Sequence, residues 1–398
     1  MPPPTSNKRL HVLTLVDGIG TYGGAETTAR DIAQGLDPER FRSTLCVTRW
    51  EPLPEFQAAR DELDAAGVGF IGLERKSRFD LAPWRRLTAH MRENEVDVLH
   101  SHKFGSNVWG ALLAPRVPVP VFVAHEHTWS YEGNRLRVLL DRRLIARRAD
   151  AFIAVSEEDR RRMIEVEGIP EEKTRFIASG IVDPTVSTND PASVRRDLGI
   201  SNGAPVIGVV ATLRSQKALD VLFRAAALLR EEFPDLAVLV AGGPDPKEPD
   251  EEGRLEAVVR DLDVGGSVRF LGRRDDVPDL VAAMDIGVLS SDYEGCPLSV
   301  MEYMEAGKPV VATAVGGLAD IVDDGTTGLL VPPQDPQAFA AAVATILRDG
   351  PRARAMGEAG RARRRDRFDI ERTIRQVEDL YEALHREKTG GPDEGRGR

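Results

Sequence analysis

Cysteine is almost missing from this chain: Cys46 and Cys296 are the only two among 398 residues. Two thiols make no disulfide framework, and no Cys/His group has the spacing of a zinc site. A reducing compartment, the cytoplasm, is therefore expected. Long apolar runs are missing as well. None approaches the ~18 residues that a membrane-spanning helix needs, and residues 1–8 lack the apolar core of an export signal. Excess positive charge is the third absence. Lys and Arg number 53 against 64 Asp and Glu, a net charge of −11, which argues against nucleic acid as the main partner. What is present is 41% hydrophobic residues in a length that suits two domains, enough to give each a core.

Those apolar residues fall in an alternating pattern. Strand-like runs at 9–16, 44–48, 68–73, 96–100, 119–124 and 151–155 alternate with helical patterns at 25–36, 55–66, 81–94, 106–114, 136–148 and 157–167. Repeated β-α-β units predict a parallel, doubly wound α/β sheet. The pattern breaks at 181–203, where Pro184 and Pro191 stand among Ser, Thr, Asn and Asp, the composition of a linker. A second alternating block runs from 206 to 348, and helical patterns follow at 353–367 and 370–387. The expected organisation is a Rossmann-like domain over 1–183, a linker at 184–205 and a second Rossmann-like domain over 206–367. A C-terminal helix follows at 368–387, its return to the first domain left open, and then a disordered, Gly-rich tail at 388–398. Such folds bind ligands at the carboxyl ends of their strands, so the site is expected in a cleft between the two domains.

One stretch organises the rest: Ser290-Ser-Asp-Tyr-Glu-Gly-Cys-Pro-Leu-Ser-Val-Met-Glu302. It lies between strand-like runs at 286–289 and 309–312. Pro297 suits the first position of a helix, with Cys296 or Gly295 at its cap. Strand, Gly-containing loop and helix N-terminus together point free N–H groups at a crevice and favour an anion there. Glu294 and Glu302 would repel a phosphate, but they suit hydroxyls on either side of one. A nucleotide sugar has that layout, with sugar hydroxyls, a pyrophosphate and ribose hydroxyls in line.

Other constellations surround this one. Gly18-Ile-Gly-Thr-Tyr-Gly23 fits the dinucleotide pattern Gly-x-Gly-x-x-Gly, a weak match alone. Glu26 in the first helical turn would oppose a pyrophosphate, and no acidic residue ends the second strand, which both count against NAD. Gly23 and Gly24 instead allow close backbone approach to a ligand. Arg214 and Lys217 follow the first strand of the second block, where a cationic pair suits a diphosphate. His100 and His102 end one strand, and His125 and His127 end the next. Metal binding is the minority reading for these four, because the only nearby carboxylate, Glu126, should point away from its neighbours. Ser156 reads equally as a helix cap over Asp159 and as a ligand contact. Residues 135–148 hold six Arg and one Asp. Their apolar and basic faces are not cleanly separated, so solvated or acceptor-lining Arg is preferred over docking on anionic lipid.

The pattern Glu294-x7-Glu302, with Ala306-Gly-Lys-Pro-Val-Val and Gly316-Gly317 after it, resembles the retaining GT-B glycosyltransferases of family 4. Gly23-Gly-Ala-Glu26, Arg214-x-x-Lys217 and Ala124-His-Glu-His-Thr-Trp are similar to that family's motifs too, and the likeness runs from about residue 9 to about residue 367. Ser179 departs from it, since the family usually has Asn there. The resemblance implies two Rossmann-like domains facing each other across a cleft. It places Glu294 near the donor sugar and Glu302 on the ribose. Arg214 and Lys217 stabilise the leaving nucleoside diphosphate without a metal. His127 becomes the active-site histidine, with His125 as runner-up. Gly295, Cys296, Pro297, Leu298 and Ser299, with Gly23 and Gly24, would contact the donor, and Glu26, His100, His102 and His125 the acceptor side.

No cofactor is implied beyond the co-substrate, with a UDP-sugar favoured. The implied activity is hexosyl transfer to a hydroxyl of a glycan or lipid-linked acceptor, as in cell-surface polysaccharide or glycoconjugate synthesis. It would take place in the cytoplasm or at the inner membrane face, with peripheral membrane contact left open. Two alternatives are carried: a non-hydrolysing sugar-nucleotide epimerase, for which only Glu294 is a well-placed carboxylate, and a catalytically silent nucleotide-sugar-binding paralogue.

Overall fold

The computed structural model describes residues 8–390 apart from 20–22, 51–53, 76, 78–79, 129–133, 184–186 and 188. The chain forms two compact units, Met1–Ser179 with Ile370–Arg398, and Gly180–Asp369.

The first unit is built on a seven-stranded parallel sheet: β1 (Leu10–Val16), β2 (Phe41–Val47), β3 (Gly69–Gly72), β4 (Val98–His102), β5 (Val121–Glu126), β6 (Ala151–Ala154) and β7 (Thr174–Phe176). Its order is β3-β2-β1-β4-β5-β6-β7. Both faces are covered by helices, so the central strands are apolar almost throughout; Leu13, Leu15, Leu99, Val121, Phe122 and Ala124 are fully enclosed. Buried polar residues interrupt these runs: His11 and Thr14 on β1, and His100, Ser101, His102, His125 and Glu126 toward the carboxyl ends of β4 and β5.

One face is covered by the last helix, Ile370–Thr389. Ile374, Val377, Tyr381 and Leu384 recur at helical spacing and pack with Ile32, Phe41 and Val121. Glu378 pairs with Arg40 at 3.0 Å and Lys388 with Asp150 at 2.6 Å. The helix thus runs into the stretch expected as a tail, and 391–398 lie outside the described residues.

The second unit has six parallel strands: β8 (Val206–Val210), β9 (Ala237–Ala241), β10 (Val268–Gly272), β11 (Ile286–Leu289), β12 (Val310–Thr313) and β13 (Gly328–Val331), in the order β10-β9-β8-β11-β12-β13. In each sheet the winding reverses once, between β1 and β4 and between β8 and β11. Crevices open at such points, beyond the carboxyl ends of the strands.

Three expectations need correction. The stretch 184–205 is not a linker throughout. Pro191–Asp197 is a helix of the second unit, held by Arg195 to Asp285 at 2.8 Å and to the Ala283 carbonyl at 2.8 Å. The unit begins earlier, at Gly180: Ile181 bridges to Asp369, and buried Arg364 donates to the Ile181 carbonyl at 2.7 Å. The helix expected at 136–148 is interrupted. It runs Arg135–Leu140, widens into a π turn over Asp141–Ile145 and closes at Ala146–Arg148, with Asp141 and Ile145 turned into the interior. The helix expected at 157–167 likewise ends in a π turn, Met163–Glu167. Among the described residues no helix is long and apolar enough to cross a membrane.

Candidate active site

In the second unit the stretch 290–302 leaves β11 and enters the helix Leu298–Glu305. Pro297 precedes that helix in extended conformation, ψ 110°, so it occupies the cap and not the first helical position expected for it. Neighbouring turns fix the loop. Ser290 Oγ donates to the Lys217 carbonyl at 3.0 Å, and Thr313 Oγ1 donates to the Ser291 carbonyl at 2.6 Å. The Gly317 amide donates to the Glu294 carbonyl at 3.1 Å. Gly316, at φ +49°, lies so close that a Cβ there would sit 1.9 Å from the same oxygen. Tyr303 anchors the helix by accepting the Val210 amide at the end of β8, 2.6 Å away.

These contacts join Lys217 to Glu294, with Arg214 three residues before Lys217 and Glu302 on the helix that follows the loop. Lys217 Nζ meets Glu294 Oε1 at 2.5 Å, with side chains 15% and 7% exposed, and Ser291 Oγ donates to the same oxygen at 2.5 Å. Arg214 pairs with Asp245, whose other oxygen accepts the Lys247 amide at 2.7 Å. Both cations therefore have a carboxylate partner, so an incoming anion exchanges one set of charge-assisted bonds for another. Glu302 differs. Its carboxylate makes no hydrogen bond or ion pair among the described residues, and burial raises its pKa. Gly295 and Pro297 are buried, and Cys296, Leu298 and Ser299 half-buried.

In the first unit β1 leads through Asp17 toward the helix Gly24–Gly35, with Gly23 at its cap. Glu26 lies in its first turn and pairs with Lys103 at 2.7 Å. A Cβ on Gly23 would stand 2.3 Å from Glu26 Oε2, which is why glycine suits that position. Lys103 directly follows β4 and is held at φ +71°, a conformation costly for a side chain of that size. Asp17 accepts hydroxyls from Thr48 and Ser106, each at 2.9 Å.

The four histidines at the ends of β4 and β5 form a buried ladder. Ring centroids of His100 and His125 are 5.3 Å apart at 9°, and those of His125 and His127 are 4.3 Å apart at 13°. His102 Nδ1 lies 2.9 Å from His127 Nε2. His125 Nδ1 lies 3.3 Å from His100 Nε2, and His100 Nδ1 meets the Tyr381 hydroxyl at 2.5 Å. Burial pushes the His125 pKa down to about 3 and those of His100, His102 and His127 well below the usual histidine range, so all four are neutral near neutral pH.

His100 has both nitrogens engaged inside the unit and no exposed surface, which is a packing position and not the acceptor contact expected of it. His127, half-buried, is the most open of the four. Glu126 does point away from its neighbours, to Asn107 at 2.7 Å and Arg137 at 3.1 Å, and burial raises it to about 7. Ser156 caps its helix through the Asp159 amide at 3.0 Å.

Sequence reasoning missed Asp245, Ser291, Asp17, Lys103 and Tyr381. Asp245 and Lys103 stand just past strand ends, a placement that could have flagged them. Tyr381 reaches His100 across 281 positions of chain and carries no local signature.

A family profile described as Glycosyltransferase Family 4 matches residues 22–183, and one described as Glycosyl transferases group 1 matches 192–363. A D-inositol 3-phosphate glycosyltransferase of Kineococcus radiotolerans is 33% identical over 320 residues, 74% of this chain and 73% of that protein. The enzyme of the same name from Corynebacterium urealyticum is 37% identical over 206 residues, 51% of this chain and 48% of its own length. The crystal structure of Anabaena HepE in complex with UDP and glucose superimposes with a TM-score of 0.81 at 25% identity, covering 94% of this chain and all of that one.

Proposed function

The chain belongs to the family 4, group 1 glycosyltransferases of GT-B architecture, and on that premise we propose that it is a retaining hexosyltransferase using a nucleoside-diphosphate sugar, UDP-sugar first. The observation that carries this reading is the layout of the second unit. Arg214 and Lys217 stand with Glu294 beside the N-terminus of the helix that bears the unpartnered Glu302. That N-terminus and the two cations suit the diphosphate, Glu302 accepts ribose hydroxyls, and Glu294 faces the sugar. The Anabaena neighbour was crystallised with UDP and glucose, which supports the choice of donor.

In the proposed reaction the bond between the sugar C1 and the phosphate oxygen breaks, and the acceptor oxygen bonds to C1 on the same face. The departing phosphate takes the acceptor proton. Arg214 and Lys217 stabilise the charge that develops on the diphosphate, preorganised electrostatics that needs no metal there. His127 is assigned the contact with the transferred sugar. Glu26 and Lys103 are assigned to the acceptor side, where His102 and His125, enclosed like His100, make no direct contact, and Gly23 and Gly24 are assigned to backbone contacts with the ligand.

The acceptor is a hydroxyl of a glycan, a lipid-linked glycan or an anionic polyol. The relatives are named for D-inositol 3-phosphate, and Lys103 offers a cation for such a group. Exposed Leu136, Leu139 and Val166 beside Arg135, Arg142 and Arg143 suit peripheral contact with an anionic membrane, where lipid-linked acceptors reside. Co-sedimentation with anionic but not neutral vesicles checks that contact.

The reaction is tested with UDP-glucose, an acceptor panel of these classes and NMR of the product. A new α-linked glycoside is expected. An inverted anomeric linkage rejects the retaining mechanism, and a sugar nucleotide changed without any acceptor favours an epimerase.

A further inference from the structure

The histidine ladder of the first unit leaves two ring nitrogens without a role. His102 Nε2 and His125 Nε2 are out of solvent and have no hydrogen-bond partner, on side chains 1% and 0% exposed. An unpaired buried imidazole nitrogen is costly. His100, His102 and His125 each offer one ring nitrogen, and these lie within 4.8 Å of one another. Nitrogens bound to one tetrahedral ion at about 2.0–2.1 Å stand about 3.3–3.4 Å apart, so ring rotations must close the widest separation by up to about 1.5 Å.

We propose that His100, His102 and His125 bind one divalent transition-metal ion, Zn2+ by preference. Three imidazoles without a carboxylate suit Zn2+ and its neighbours rather than Mg2+ or Ca2+. Three protein nitrogens also leave a tetrahedral ion one open position. The outer contacts match what ligating histidines use to fix their tautomer. With its Nδ1 protonated, His102 would donate to His127 Nε2, 2.9 Å away, leaving the Nε2 lone pair for the ion. With its Nδ1 protonated, His100 would donate to the Tyr381 hydroxyl oxygen, 2.5 Å away, leaving its Nε2 likewise. The contact of His100 Nε2 with His125 Nδ1, long at 3.3 Å, is given up on binding.

The absence of a suitable carboxylate had favoured a metal-free reading of the sequence, and the third ligand here is a histidine. The ion ties the ends of β4 and β5 together in the first unit. The diphosphate clamp belongs to the second unit, so this proposal stands or falls independently of donor binding there.

The test uses untagged full-length protein stripped with a chelator and then given Zn2+ or Co2+ alone. Elemental analysis is expected to find one ion per chain, the Co2+ form to show visible d–d bands, and zinc-edge X-ray absorption to show a shell of imidazole nitrogens. His102→Ala and His125→Ala are expected to weaken binding by more than about 100-fold, and Tyr381→Phe, which removes no ligand, by about 10-fold. Circular dichroism checks that the variants fold. Failure of the folded wild type to take up one ion overturns the proposal, as does an oxygen-only shell. Unchanged affinity in a folded His102→Ala/His125→Ala double variant overturns it as well.

Discussion

Glu302 is a carboxylate that the second unit holds at some cost to its own stability. Burial sets its pKa above the ordinary 4.5, so the folded state binds the proton more tightly than the unfolded chain. The stability linked to that group is fully present below the unfolded value and is lost as pH rises through the raised one. Glu302→Gln is therefore expected to melt at a higher temperature than the wild type at about pH 7, with the difference vanishing near pH 4. Its affinity for UDP should fall about 10- to 100-fold, because a hydrogen bond to a charged acceptor is worth ~1.5–3 kcal/mol. Melting curves at the two pH values and a UDP titration check both halves.

Arg214 and Lys217 act on the departing diphosphate, so Arg214→Ala or Lys217→Ala should lower turnover by about 10²-fold or more in steady-state assays. Both cations were legible in the sequence, because Arg-x-x-Lys follows a strand and precedes a helix. The pairing with their counter-ions was not. Asp245 pairs with Arg214 across 31 positions and Glu294 with Lys217 across 77, and only the folded sheet brings those strand ends together.

At the scale of elements, the loop after β11 depends on the turn after β12. Gly316 has φ +49°, and a Cβ there meets the Glu294 carbonyl oxygen at 1.9 Å. Gly316→Ala is expected to destabilise the second unit by about 1–3 kcal/mol and to lower kcat/KM by displacing Glu294. A melting curve and a turnover assay on the same preparation read both effects; an unchanged kcat/KM would detach the turn from the site.

The strands of both sheets were legible because burial on two faces makes them continuous apolar runs. The helix Pro191–Asp197 was not, for a physical reason. Asp190 accepts the Ala192 amide at 3.3 Å as a helix cap, with Pro191 in the first turn, and Asp-Pro-Ala-Ser serves a linker equally well. The π turns at Asp141–Ile145 and Met163–Glu167 change the helical period within five residues, too few for periodicity to register.

The whole molecule consists of two units, each with its own sheet and core. The last helix, Ile370–Thr389, closes the core of the first unit although it comes last in the chain. Its amphipathic pattern was legible, but the face it covers was not, since its partners Ile32, Phe41 and Val121 lie hundreds of residues upstream. Because the proposed donor site is built from the second unit, UDP should raise one calorimetric transition and leave the other unmoved. At about 100 times its dissociation constant it adds roughly 2.7 kcal/mol to the unit that binds it. Two transitions raised equally would place nucleotide binding elsewhere or show the units unfolding as one.

The most direct test is a thermal-shift panel of UDP-, GDP- and ADP-sugars without added metal, run on the wild type beside Glu302→Ala and Arg214→Ala. A shift with UDP-sugars that disappears in both folded variants is the predicted result. No shift with any sugar nucleotide, or a shift undiminished in both variants, would contradict the assignment of Glu302 and Arg214 to a nucleotide-sugar site.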